Sequence, residues 1–350
     1  MNFRPCHFKK KVNLILAFVM ILFPIVFTGC QKKRLEPASP YQPADYLCAS
    51  TLLSLEKEDY PGNPNNVEPT LSVPTYITKI GDYYFIVDCY HNQVIYHDNL
   101  TDSLTDWKVM TSDISMGHTI ASDGVVYLID DTENNRVLIM EKSIDENGGD
   151  VFLPTQEFTE IGNRPHYIIY DSYTDTFYVW SSQSGEMYLF RRDAASSRVY
   201  LTEKRSIEEL DNIYVRSFTI LEDKIYFVSG NSNIIEADLA TFEITKRYPV
   251  PDELAGMIQL AYLEGSYYIT ISTDLSGNQD YATIIQAKKL EDLSSHNYTD
   301  VYSNFVGGGT PYSITEIDGT YYLTEHRVPG HSIWSFQIAD DKITDVVAIY

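Results

Sequence analysis

Basic residues are scarce in this chain. The 26 Lys and Arg stand against 49 Asp and Glu, a net charge of −23 at neutral pH. Nucleic-acid phosphates are held by basic stripes, so this balance excludes DNA or RNA as a partner. Cysteine is rarer still, with four in 350 residues, which excludes a small scaffold built on disulfides. No apolar run is long. The most extended, Val12 to Phe27, is interrupted by Asn13 and Pro24 and falls short of the roughly 20 residues that a spanning helix needs. Beyond residue 70 helical periodicity is nearly missing, with Ser206–Asp211 the best short candidate. There is no G-x-S-x-G, no Rossmann fingerprint, no phosphate loop and no H-x-x-x-H pair. No motif therefore names a reaction.

What is present is apolar and aromatic: 44 % hydrophobic residues, with 28 Tyr against 15 Phe. Tyr suits half-buried strands and binding faces. The first residues form an address. Residues 1–29 hold no acid and four bases, Arg4, Lys9, Lys10 and Lys11, ahead of the apolar run. A charged start, a short apolar core and small residues before a cut make a secretory signal. Its end, Phe27-Thr28-Gly29-Cys30, resembles the lipobox of bacterial lipoproteins, with Phe27 where Leu is more usual. The resemblance implies that Cys30 is lipidated and becomes the new N-terminus. The chain would then be lipid-anchored on the extracytoplasmic face of the cell membrane. Residues 1–29 read as signal and residues 30–73 as the lipidated Cys and a tether. The turn cluster Pro61-Gly62-Asn63-Pro64-Asn65-Asn66 lies near the tether's end. Of the remaining cysteines, Cys48 and Cys89 are free to pair in an oxidising compartment, and equally suit two buried thiols packed as small apolar groups.

Residues 74–350 carry an internal repeat, found in six copies at intervals of 42 to 53 residues. Each copy holds an alternating strand, a tight turn such as Gly81-Asp82 or Asp318-Gly319, an aromatic-rich strand, a polar turn and a third strand. The second strands end at Asp88, Asp130, Ser181, Ser229, Ser272 and Glu325. A fourth strand follows, for example at Val199–Arg205 and Glu243–Val250. Four antiparallel strands at this period predict propeller blades, because a single such sheet cannot bury both faces and stacked ones can. The stretch Asp123-Gly124-Val125-Val126-Tyr127-Leu128-Ile129-Asp130-Asp131-Thr132-Glu133-Asn134-Asn135-Arg136-Val137 resembles an NHL repeat, and the first unit is a weaker copy through Val87-Asp88 and His91-Asn92-Gln93-Val94. The resemblance implies an all-β fold, a six-bladed β-propeller of four-stranded blades. It implies no reaction, since that fold hosts enzymes, receptors and scaffolds alike.

In such a fold the inner strands begin on the face where the turns between second and third strands also end. The residues one step into them are Thr75, His118, His166, Arg216, Gln259 and Tyr312. They are expected to ring the channel mouth, with His326 and Arg327 on a neighbouring turn. His and Arg suit a carboxylate or sulfate; Tyr and Gln suit sugar hydroxyls and ring faces. Asp88 and Asp130 read as residues that tie down the following turn. Asp274–Asp280 alternates oxygen side chains around a Gly, as calcium loops do, but lacks the bidentate Glu; a polar hairpin tip gives the same letters. The reading is a membrane-anchored lipoprotein whose propeller binds a small molecule, a glycan or a protein at the mouth without catalysis. No cofactor is required, although His118 and His166 could share a divalent metal. The alternative is a metal-assisted lyase or hydrolase acting on an acidic sugar or lactone through His118, His166, Arg216 and Tyr312.

Overall fold

A computed structural model describes residues 50–53, 63–272, 282–305, 309–326 and 330–350. The signal, Cys30, Cys48, Arg327 and the Asp274–Asp280 loop lie outside them. Six antiparallel sheets follow one another along the chain, the architecture of a six-bladed β-propeller. Blade 1 comprises Pro74–Ile80, Tyr83–Asp88, Gln93–His97 and Lys108–Thr111, from the axis outward. The inner strands of blades 2 to 6 are Ile120–Ser122, Pro165–Asp171, Val215–Leu221, Met257–Leu263 and Thr310–Ile317. The helical candidate at Ser206–Asp211 is a single 3-10 turn, Glu208–Leu210.

The strands form because both faces of every sheet are covered. Side chains alternate across a strand, so in Tyr83–Asp88 the pair Phe85 and Val87 packs with Tyr127 and Ile129 of blade 2. Ile86 between them packs with Ile317 and Ile333 of blade 6. All three are fully buried. That accounts for a strand whose apolar residues run without a break. Aromatic rings lock the seams edge to face: Phe152 lies 4.8 Å from Tyr96 and 5.0 Å from Tyr127. Two hairpins show why their turns are written with Gly. Asp318-Gly319 and Glu264-Gly265 have φ of 52° and 78°, and 47° and 76°. Both central residues of a type I′ turn need positive φ, which Gly tolerates best.

The ring closes without borrowing a strand. Blade 6 takes all four strands from the C-terminal segment, ending at Lys342–Ala348. Its join to blade 1 is made by side chains. Ser313 Oγ donates to Thr75 O at 2.8 Å. The Tyr350 hydroxyl donates to Asp102 O at 2.7 Å and accepts from Trp107 Nε1 at 3.0 Å. The N-terminal strand Thr51–Leu52 instead pairs with Glu157 and Gln156, as a fifth strand on the outer edge of blade 2. Asn63 then wedges between blades 1 and 2. It accepts from Phe152 N at 2.7 Å and donates to Met110 O at 3.2 Å.

Two registers differ from the sequence reading. In blade 2 the residue in step with Asp88 is Asp131, not Asp130. Ser72 N donates to Asp88 at 3.1 Å, and Ser115 N donates to Asp131 at 2.7 Å. Asp131 also accepts from Asn134 Nδ2 at 2.9 Å and Arg136 Nε at 2.7 Å, while Asn135 turns the chain at φ 50°. The Asp-Thr-Glu-Asn-Asn-Arg run is thus a self-bonded turn. In blade 5 the second strand pairs to Ile271 rather than Ser272.

Candidate functional site at the channel mouth

The site grows from a repeated irregularity. Five inner strands carry a β-bulge at their first turn of pairing. The extra residue is Thr75, His166, Ile258 or Tyr312 in blades 1, 3, 5 and 6, and falls at Arg216-Ser217 in blade 4. A bulge breaks the two-residue alternation and re-aims a side chain. Blade 2 reaches the same end differently. The buried Asp130 carboxylate accepts from His118 N at 2.8 Å and from Thr119 N at 2.6 Å, in place of strand pairing. Gly117 precedes them because a Cβ there would meet Asp130 O at 2.7 Å.

These devices bring four of the six ring residues together. The His118 and His166 rings stack at 3.8 Å between centroids. The Tyr312 ring lies parallel to His118 at 5.7 Å, and its hydroxyl is 2.9 Å from His118 Nδ1. His166 Nδ1 lies 2.9 Å from Arg216 O. A carbonyl only accepts, so Nδ1 carries the proton and Nε2 is left to accept from the Tyr214 hydroxyl at 3.1 Å. The Arg216 guanidinium rests over the Tyr214 ring at 5.3 Å, a cation–π distance. The result is a continuous file: Tyr312, His118, His166, Tyr214, Arg216.

The other ring members turn away. Thr75 Oγ1 donates to His118 O at 2.8 Å and is buried. Gln259 sits one residue past the bulge. Its Oε1 accepts from Ile314 N at 2.6 Å and its Nε2 donates to the Tyr167 hydroxyl at 3.2 Å. The Tyr76 ring lies 6.4 Å from that of Tyr167. His326 pairs with Thr310 at the strand end. Two residues escaped the sequence reading: Tyr214 and Arg164. Both stand two positions before a bulge residue, outside the alternating run, where the sequence pattern carries no signal. Arg164 carries φ 64° and its guanidinium pairs with Glu133.

Burial sets the electrostatics. It drives His118 well below the usual histidine range, helped by His166, Arg164 and Arg216 nearby. Burial and then the Arg216 charge lower His166 to about 3. Both imidazoles are neutral at pH 7. Burial raises Tyr312 well above an ordinary phenol and lifts Asp130 to about 6 against the hydrogen bonds that favour its charge. Cys89 is a buried thiol, pushed up by burial. A metal does not fit this arrangement. His166 uses both nitrogens, and among the described residues no three His, Cys, Asp or Glu side chains are placed to share an ion. What the file offers is hydrogen bonding, ring faces and one positive charge.

No protein-family model matches the chain, and no curated protein matches it. Solved structures do. A candidate 6-phosphogluconolactonase from Bacteroides fragilis aligns with a TM-score of 0.55 at 11 % identity, over 79 % of this chain and 84 % of that one. One from Bacteroides uniformis gives 0.54 at 11 %, over 79 % and 85 %. Streptogramin B lyase gives 0.50 at 13 %, over 85 % of each chain. At such identities the likeness is one of fold: this chain is a β-propeller similar to theirs.

Proposed function

We propose that this protein is a lipid-anchored extracytoplasmic lipoprotein whose propeller binds a small polar or anionic ligand, carbohydrate-like in character, at the channel mouth without catalysis. The anchor rests on the basic, apolar and small-residue order of residues 1–29 and on Cys30 at its end. Among the described residues no helix is long and apolar enough to cross a membrane. The turn from Asp131 to Val137 lies within the stretch that resembles an NHL repeat; in it Asp131 accepts from Asn134 and Arg136, and Glu133 pairs with Arg164.

The observation that carries the ligand reading is Arg216. It is half-buried and sits at the end of the aromatic file, and its guanidinium makes no hydrogen bond or ion pair with any described residue. A guanidinium drawn partly out of water in a chain of net charge −23 is costly to leave unpaired unless an anion or polar ligand completes it. The enzymatic alternative needs a base or a metal. Imidazoles held this far below their usual range are weak bases, and among the described residues no donor set assembles a metal site, which supports binding over chemistry. Thermal-shift screening of glycans and small carboxylates tests the reading, using wild type and His118→Gln. Ligands of the mouth stabilise the wild type and lose that effect in the variant. A set of hits that stabilise both equally overturns it.

A further inference from the structure

We propose that the mouth selects a singly charged carboxylate, with the Arg216 guanidinium as its counter-ion and His166 as the residue that positions that guanidinium. This rests on the ligand-site reading and narrows it to one chemical class.

The first ground is the charge pattern at the mouth. Among the described residues two arginines stand near the imidazoles. Arg164 is charge-paired with Glu133 through Nη1, its buried Nε having no partner among the described residues. The Arg216 guanidinium has no hydrogen-bond or ion-pair partner among the described residues, so one positive charge is open. The stacked imidazoles add none, since burial keeps both neutral. The buried Asp130 carboxylate is enclosed by two backbone N–H groups and the Thr119 and Thr132 hydroxyls. A monoanion therefore balances the site. A dianion brings a second charge into a partly buried place with nothing to pair it.

The second ground is geometry. The His166 tautomer is fixed by the Arg216 carbonyl, and its other nitrogen fixes the Tyr214 hydroxyl. Tyr214 is the ring under the guanidinium. One imidazole thus holds both the backbone that launches Arg216 and the platform beneath it, leaving the planar donor fork open to a planar carboxylate. A second donor stands nearby. His118 Nδ1 faces the Tyr312 hydroxyl, and Nε2 has no partner among the described residues. When Tyr312 donates to Nδ1, Nε2 carries the proton and donates to the ligand.

The test uses the full propeller labelled with 15N-histidine, titrated with acetate, glucuronate, glucose and inorganic phosphate at pH 8, where phosphate is a dianion. The ring signals of His118 and His166 report both tautomer and contact. Acetate and glucuronate are expected to move them saturably, with phosphate at least tenfold weaker. Arg216→Gln should abolish the carboxylate response with the histidine spectrum otherwise retained. His166→Gln should weaken carboxylate binding about tenfold while Arg216 is intact, and Arg216→Lys should restore only part of it. Phosphate binding as tight as glucuronate, or carboxylate affinity unchanged in Arg216→Gln, overturns the inference. A response to glucose that survives Arg216→Gln overturns it too but leaves a ligand site. No response to any of the four probes removes both.

Discussion

His166 shows how one buried side chain links the site to stability. Its ordinary value of 6.5 falls to about 3 because burial, and then the Arg216 charge, disfavour the imidazolium. The folded value lies below the unfolded one. The stabilisation is therefore complete above about pH 6.5 and is lost as pH falls from there toward 3. At pH 4.5 the two units below 6.5 correspond to about 3 kcal/mol. His118 acts in the same direction. Asp130 acts in the opposite one. Its carboxyl is raised from 3.8 to about 6, so the folded protein takes up that proton first and gains stability as pH falls through 6. Urea unfolding at pH 7.5 and 4.5 separates these contributions. His166→Gln should be less stable than wild type at pH 7.5, and the gap should close by about 3 kcal/mol at pH 4.5. A constant gap would show that His166 titrates normally in the folded protein.

At the scale of strands and turns, the bulges decide where the side chains go. Gly117 is the position that blade 2 uses in their place. Gly117→Ala would bring a methyl to 2.7 Å from Asp130 O, and should cost about 1–3 kcal/mol as the backbone shifts. It should also disturb the His118–His166 stack, read as changed histidine ring signals; an unperturbed spectrum would contradict the role given to this glycine. The same bulges explain how much the sequence revealed. The six strand sets were legible because every sheet is buried on both faces, leaving long aromatic and branched runs between Gly and Asp turns. His118, His166, Arg216 and Tyr312 were legible because each stands at the start of such a run. Gln259 was misplaced because a bulge adds one residue, and a period of two cannot register it: Ile258 holds the bulge in blade 5, and Gln259 pairs in the strand and bonds Tyr167. Asp130 and Asp131 were exchanged for the related reason that adjacent acids do not say which one meets the incoming loop. Tyr214 was invisible because it lies before its strand, where no alternation marks it.

For the whole molecule, closure and anchoring can be tested apart from the site. Blades 1 and 6 meet through Trp107, Tyr350 and the apolar cluster around Ile86 and Ile317, with no exchanged strand to hold them. Trp107→Ala should cost about 3–5 kcal/mol and expose the closing seam. Limited proteolysis should then cut first in blade 1 or 6, and cleavage confined to blade 3 or 4 would place the weak seam elsewhere. Cys30→Ser should abolish metabolic labelling with a fatty-acid analogue; undiminished label would end the lipoprotein proposal. The central claim is that the propeller presents one rigid ligand site at its mouth, with Arg216 completing it. Calorimetric titration of wild type and Arg216→Ala with a carboxylate ligand from the screen tests this most directly. Loss of a charge-assisted hydrogen bond costs about 1.5–3 kcal/mol, so affinity should fall roughly ten- to a hundredfold with unfolding little changed. Equal affinities in the two proteins would contradict the account.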